Sequence, residues 1–131
     1  IGQTVLPALK AAQDLAPLGI SAAVINARFV KPLDRELFGE WLGRVPRLIT
    51  VEDHAIAGGF GSAVLEFLAD EGIAGVEIKR LGVPDRFIPH GTQDELRKIC
   101  GFDKDAIAQA ALQMVRRAKK KSREGWERGS A

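Results

Sequence analysis

Glu52, Asp53 and His54 stand in a row and are the side chains in this sequence best placed to do chemistry. A carboxylate beside an imidazole could work as an acid–base pair or supply half of a metal site. The three follow the apolar run of Leu48, Ile49 and Val51 and precede Gly58, Gly59 and Gly61. Successive residues of a strand point to opposite faces, so Glu52 and His54 share a face that Asp53 does not. The other histidine, His90, lies between Pro89 and Gly91, and no serine or cysteine nucleophile stands beside either one. A structural or interface cluster is the better reading than catalytic machinery.

The glycines admit a second chemistry. A phosphate-cradling loop of the G-x-x-x-x-G-K type needs a lysine, and none follows Gly61. A dinucleotide fingerprint needs a third small residue, where this chain has Val64, whose bulk would push the helix off its strand. Nucleotide binding is thus disfavoured. Positive φ and close backbone approach at a tight strand-to-helix turn account for the glycines more simply. Cys100, between Ile99 and Gly101, reads as a small buried hydrophobe.

The elements that must hold these residues can be read from spacing. Val5, Leu9, Ala12 and Ala16 predict one face of a helix ended by Pro17 and Gly19. Ile20 to Asn26 is short and nearly all apolar, the composition of a strand covered on both faces. Asp34 is placed to cap a helix carrying Leu37, Phe38, Trp41 and Leu42, which Gly43 and Pro46 stop. The central strand and glycine turn come next, leading into a helix with Val64, Phe67 and Leu68 inward.

Val76 to Leu81 predicts a third strand, and Gly82 to Asp85 a turn. Thr92 and Glu95 form a capping box for a short helix ending near Gly101. Asp103 caps the last helix, with Ile107, Ala110, Met114 and Val115 facing inward. This alternation predicts an α/β fold of three layers, a mostly parallel sheet with helices on both faces. Its first strand is expected upstream, since Ile1-Gly2 reads as the end of one.

With 131 residues the chain makes one domain and buries about two-thirds of its unfolded surface. No apolar run approaches the ~20 residues that span a bilayer, so no membrane partner is expected. One cysteine excludes an internal disulfide and fits a cytoplasmic setting. The net charge of +2 is uneven: residues 116–131 hold seven basic side chains against two acidic ones, leaving −3 on the other 115 residues. A solvated helix end explains such a tail, and no zinc spacing or RNA-binding signature argues for nucleic acid. The expected division is a domain body over 1–115, then the end of the last helix and a basic tail over 116–131.

Four motifs carry a family resemblance: Asn26 to Asp34, Val51 to His54, Gly58 to Val64 and Gly82 to Gly91. In order and spacing they resemble the C-terminal domain of the 1-deoxy-D-xylulose-5-phosphate synthase family, within the transketolase superfamily. The first three also resemble transketolases and the β subunits of 2-oxoacid dehydrogenases. The last, followed by Thr92 to Leu96, points to the synthases. The resemblance implies a transketolase C-terminal-like fold in a homodimeric transferase that uses thiamine diphosphate and Mg2+. That enzyme condenses pyruvate with glyceraldehyde 3-phosphate to 1-deoxy-D-xylulose 5-phosphate, which feeds isoprenoid, thiamine and pyridoxal biosynthesis.

The family's diphosphate–metal motif and its activating glutamate belong to upstream domains, so no catalytic, cofactor or metal residue is carried over. This segment alone is expected to be inactive. Its partners are then the upstream domains and the second subunit. The residues expected at an interface or in a structural role are Glu52, His54, Gly58, Gly59, Gly61, Asp85 and His90. The alternatives are an interaction module of a 2-oxoacid dehydrogenase β subunit or a transketolase, and a stand-alone nucleotide-binding protein.

Overall fold

Helices and strands alternate in the computed structural model, which describes residues 1–129, with side chains through residue 120. Helix α1 spans Val5–Leu15, α2 Arg35–Leu42, α3 Phe60–Asp70, α4 Gln93–Cys100 and α5 Lys104–Gly129. Strands β1 (Arg47–Ala55) and β2 (Glu77–Val83) pair in parallel, with Leu48 opposite Ile78 and Val51 opposite Leu81. The register shifts between Val51 and Ala55, the part of β1 that carries the ionisable cluster.

Alternation along the strands builds a core on each face. On one side Val51 and Leu81 pack with Ala11 of α1, Ile107 and Ala110 of α5, and Phe102. On the other, Leu48 and Ile78 meet Phe38 of α2 and Phe60, Val64, Phe67 and Leu68 of α3. The layers are therefore α1 with α5, the sheet, and α2 with α3, the α/β class expected from the sequence.

Short-range signals place the helix ends. Asp34 Oδ1 accepts the Leu37 amide at 3.0 Å and starts α2. The Thr92 amide donates to Glu95 Oε2 at 2.8 Å and starts α4, which Gly101 closes at φ +76°. Asp103 Oδ1 takes the Ala106 amide at 2.9 Å. Each device satisfies backbone groups that a helix end would otherwise leave open.

The strand expected over Ile20–Asn26 does not form, and the described residues hold a two-stranded sheet. A strand needs a neighbouring edge, and apolar composition does not say which edge a segment will find. At β1's free edge, the Val51 carbonyl accepts the Ile1 ammonium at 2.7 Å and the Thr4 hydroxyl at 3.0 Å. Residues 21–25 instead line a cavity of about 530 Å³ together with residues 47–51.

The buried face of α1 also differs from expectation. Thr4, Ala11 and Leu15 are buried and Ala8 packs beside them, while Leu9 is 44% exposed. The observed face is one residue off, about 100° around the helix. In this stretch alanines recur on both faces, so periodicity alone does not distinguish them.

Candidate functional site

Glu52 sits on the β1 face that looks toward α3, and none of it reaches solvent. Burying an unpaired carboxylate is costly, so its partners explain its presence. Oε2 accepts the Phe60 amide at 2.6 Å and Oε1 the Gly61 amide at 3.0 Å. His54 Nδ1 lies 2.8 Å from Oε2. The amides belong to the first turn of α3, whose N-cap is Gly59 and has no side chain to offer. A carboxylate from the neighbouring strand does the capping, where the positive end of the helix dipole favours a negative charge.

The glycines shape this turn in two ways. Gly58 has φ +70°, a conformation that side chains disfavour, with open space around its α-carbon. Gly59 and Gly61 are required by contact. A β-carbon on Gly59 would overlap the Glu52 carboxylate and the Ala55 carbonyl. On Gly61 it would lie 2.6 Å from Thr50 Oγ1 and 2.8 Å from Arg80 Cδ. Gly82 on β2 closes the remaining side, where a β-carbon would come within 2.8 Å of Glu52 Cγ.

Glu52 and His54 thus meet, as strand parity requires, and Asp53 turns away. Asp53 faces the Arg97 guanidinium at 3.5 Å, which also donates to Gln3 Oε1 at 2.7 Å. Arg80 closes the turn from β2, donating to Ser62 Oγ at 2.9 Å and to the Ile56 carbonyl at 3.3 Å. Asp85 and His90 are exposed on the loop after β2 and take no part in the Glu52 cluster. The aromatic ring of Phe87 on that loop is fully exposed.

Sequence reasoning read Gly82 as part of a turn, whereas it lies within β2, and it missed Arg80 and Arg97. Gly82 and Arg80 are recognisable only once β2 is known to pair with β1. Arg97 joins residues 94 positions apart, which no local pattern reveals.

Chemically, this arrangement holds rather than reacts. Two amides and the imidazole engage the Glu52 oxygens, which lie beneath the turn. The imidazole is half-exposed, its side chain 47% accessible. Among the described residues no three His, Cys, Asp or Glu side chains converge in a way that could hold a metal ion. No helix among them is long and apolar enough to cross a membrane.

The family model for the transketolase C-terminal domain matches residues 1–107. The chain belongs to that family. As a transketolase C-terminal domain it is similar to 1-deoxy-D-xylulose-5-phosphate synthase 1 of Geobacter sulfurreducens, 60% identical over 110 residues. That alignment covers 84% of this chain and 17% of the relative. It is 50% identical over 115 residues to the synthase of Halothermothrix orenii, covering 88% of this chain and 18% of the relative. The fold matches a solved structure described as a split gene transketolase in an inactive beta4 tetramer. There the TM-score is 0.78 at 33% identity, over 86% of this chain and 36% of the other. The domain therefore spans less than a fifth of the length of the curated relatives it matches.

Proposed function

We propose that this domain is the C-terminal part of a 1-deoxy-D-xylulose-5-phosphate synthase and serves that enzyme as a scaffold and dimer support. The observation that carries the reading is the 60% identity to a named synthase across most of the domain. The parent reaction condenses pyruvate with glyceraldehyde 3-phosphate, in a cytoplasmic homodimer. The domain body is residues 1–115, and the basic side chains beyond it are given no role in the reaction.

Thiamine diphosphate and Mg2+ belong to the parent enzyme's upstream domains. The residues described do not fit them: among these, the fully buried carboxylate of Glu52 spends its oxygens on the amides of α3 and on His54. No step of the reaction is routed through this domain. Its contribution is mechanical. The glycine-walled turn fixes α3 against the sheet and presents His54 at the surface, while Asp85 and His90 stand on the adjoining loop as contact residues.

The test is a side-by-side assay of the full-length enzyme with Asp85→Ala and His90→Ala. Interface residues should shift the dimer dissociation constant while turnover per dimer stays within about tenfold, about 1.4 kcal/mol of barrier. A drop of about a thousandfold per intact dimer would refute the scaffold role.

A further inference from the structure

The loop after β2 has an inner and an outer side. Val83, Pro84 and Ile88 are half-buried against the domain, while Asp85, Arg86, Phe87 and His90 are exposed. Phe38, Phe60, Phe67 and Phe102 lie in the two cores, yet the Phe87 ring is fully exposed. An aromatic ring carries one of the largest apolar surfaces a side chain can bury, and here none of it is covered.

The loop that carries the ring is held still. The Arg86 amide donates to the Pro84 carbonyl at 2.8 Å, and the Arg86 guanidinium to the Ile99 carbonyl at 3.1 Å. That carbonyl belongs to the last turn of α4, where helix geometry leaves acceptors open. From the turn after β1 the Ile56 amide reaches the Val83 carbonyl at 3.0 Å, and the Thr92–Glu95 box closes the far end of the loop. Pro84 and Pro89 fix two further backbone torsions. A ring on a loop ordered in advance gives up little freedom when it docks.

We propose that this loop forms a two-fold contact between subunits, with Phe87 of each copy as its anchor; this rests on the reading of the domain as a dimer support. Two properties of the patch fit a second copy of this chain. Its charges are balanced, with the acidic Asp85 beside the cationic Arg86 and the imidazole of His90 on the same loop. Across a two-fold axis such groups meet their opposites.

The patch also offers an apolar landing surface as well as a knob. Ile99, to whose carbonyl the loop is tied, is 46% exposed, and Pro89 is exposed beside His90. A two-fold contact uses one patch twice, so each copy presents its Phe87 and receives the other's. An aromatic anchor inside a polar rim is the usual anatomy of an interface hot spot. Docking against an unrelated surface would require neither the balanced charge nor the landing surface.

Full-length enzyme carrying Phe87→p-benzoyl-phenylalanine, irradiated and resolved by mass, tests the contact directly. The expected product has twice the mass of one chain, with the link inside residues 84–99 of the second copy. A link within a single chain would overturn the proposal by assigning the ring to the enzyme's own upstream domains. Recovery of unlinked chain alone would overturn it by leaving the ring in solvent.

Phe87→Ala, which removes no contact within the domain, should raise the dimer dissociation constant at least about tenfold, and more than Asp85→Ala or His90→Ala at the rim. An unchanged constant would equally overturn the assignment. Formation of 1-deoxy-D-xylulose 5-phosphate by the wild type is assayed apart. Its absence would refute the synthase reading, whereas the cross-link reports the contact whichever reaction the enzyme performs.

Discussion

Glu52 Oε2 lies 2.6 Å from the backbone nitrogen of Phe60, so a side chain from the middle of the sheet caps a helix that begins eight residues later. The helix has no side-chain cap from its own N-cap residue, and the carboxylate is buried away from solvent. Each removes the other's deficit. Replacing Glu52 by Gln should destabilise the fold by about 1.5–3 kcal/mol, since one amide loses its charged acceptor and faces an NH2 group. The check is a lower urea midpoint at unchanged slope.

The glycines predict effects of opposite sign. Gly59→Ala and Gly61→Ala should each cost at least about 1–3 kcal/mol, because the added carbon meets Glu52 or Thr50. Gly39 lies inside α2 with open space around it, so Gly39→Ala should stabilise by about 0.5–1 kcal/mol. Thermal melts of the three variants would show two midpoints moving down and one moving up.

Phe102 is 2% exposed and anchors the core beneath α1 and α5. Truncating it to alanine should cost about 3–5 kcal/mol through lost burial and the cavity left behind. Chemical denaturation measures this directly.

The Thr92–Glu95 box gives a pH dependence with a defined sign. Hydrogen bonds from the Thr92 amide and hydroxyl hold the exposed Glu95 carboxyl below its ordinary value of 4.5. A depressed folded-state pKa stabilises at pH values above that ordinary value and is lost as pH falls through the folded one. Wild type should melt above Glu95→Gln at pH 7, and the gap should close as the solution is acidified below 4.5. A gap that widens on acidification would reverse the assignment.

What the sequence made legible follows the range of each interaction. Asp34 with Leu37, Thr92 with Glu95 and the αL glycine at Gly101 are local devices, and their residues announce them. Strand parity correctly joined Glu52 to His54 and separated Asp53. The capping of α3 by Glu52 was not legible, because it requires β1 and α3 to be docked. Residues 20–26 show the limit most clearly: their composition asks for cover on both faces, yet pairing depends on an edge that their own sequence does not contain. The alanine-rich α1 hid its buried face for a related reason, since two adjacent stripes were equally apolar.

The most direct test of the scaffold role is the turnover of full-length enzyme carrying His54→Ala, measured per dimer. His54 touches the buried carboxylate yet remains half-exposed, so it is the residue that catalysis would recruit if this turn reacted. A structural role predicts turnover within about tenfold of wild type, about 1.4 kcal/mol in barrier, with any loss appearing in stability instead. A thousandfold loss with the dimer intact and the melting temperature unchanged would contradict it and make the Glu52–His54 pair part of the active site.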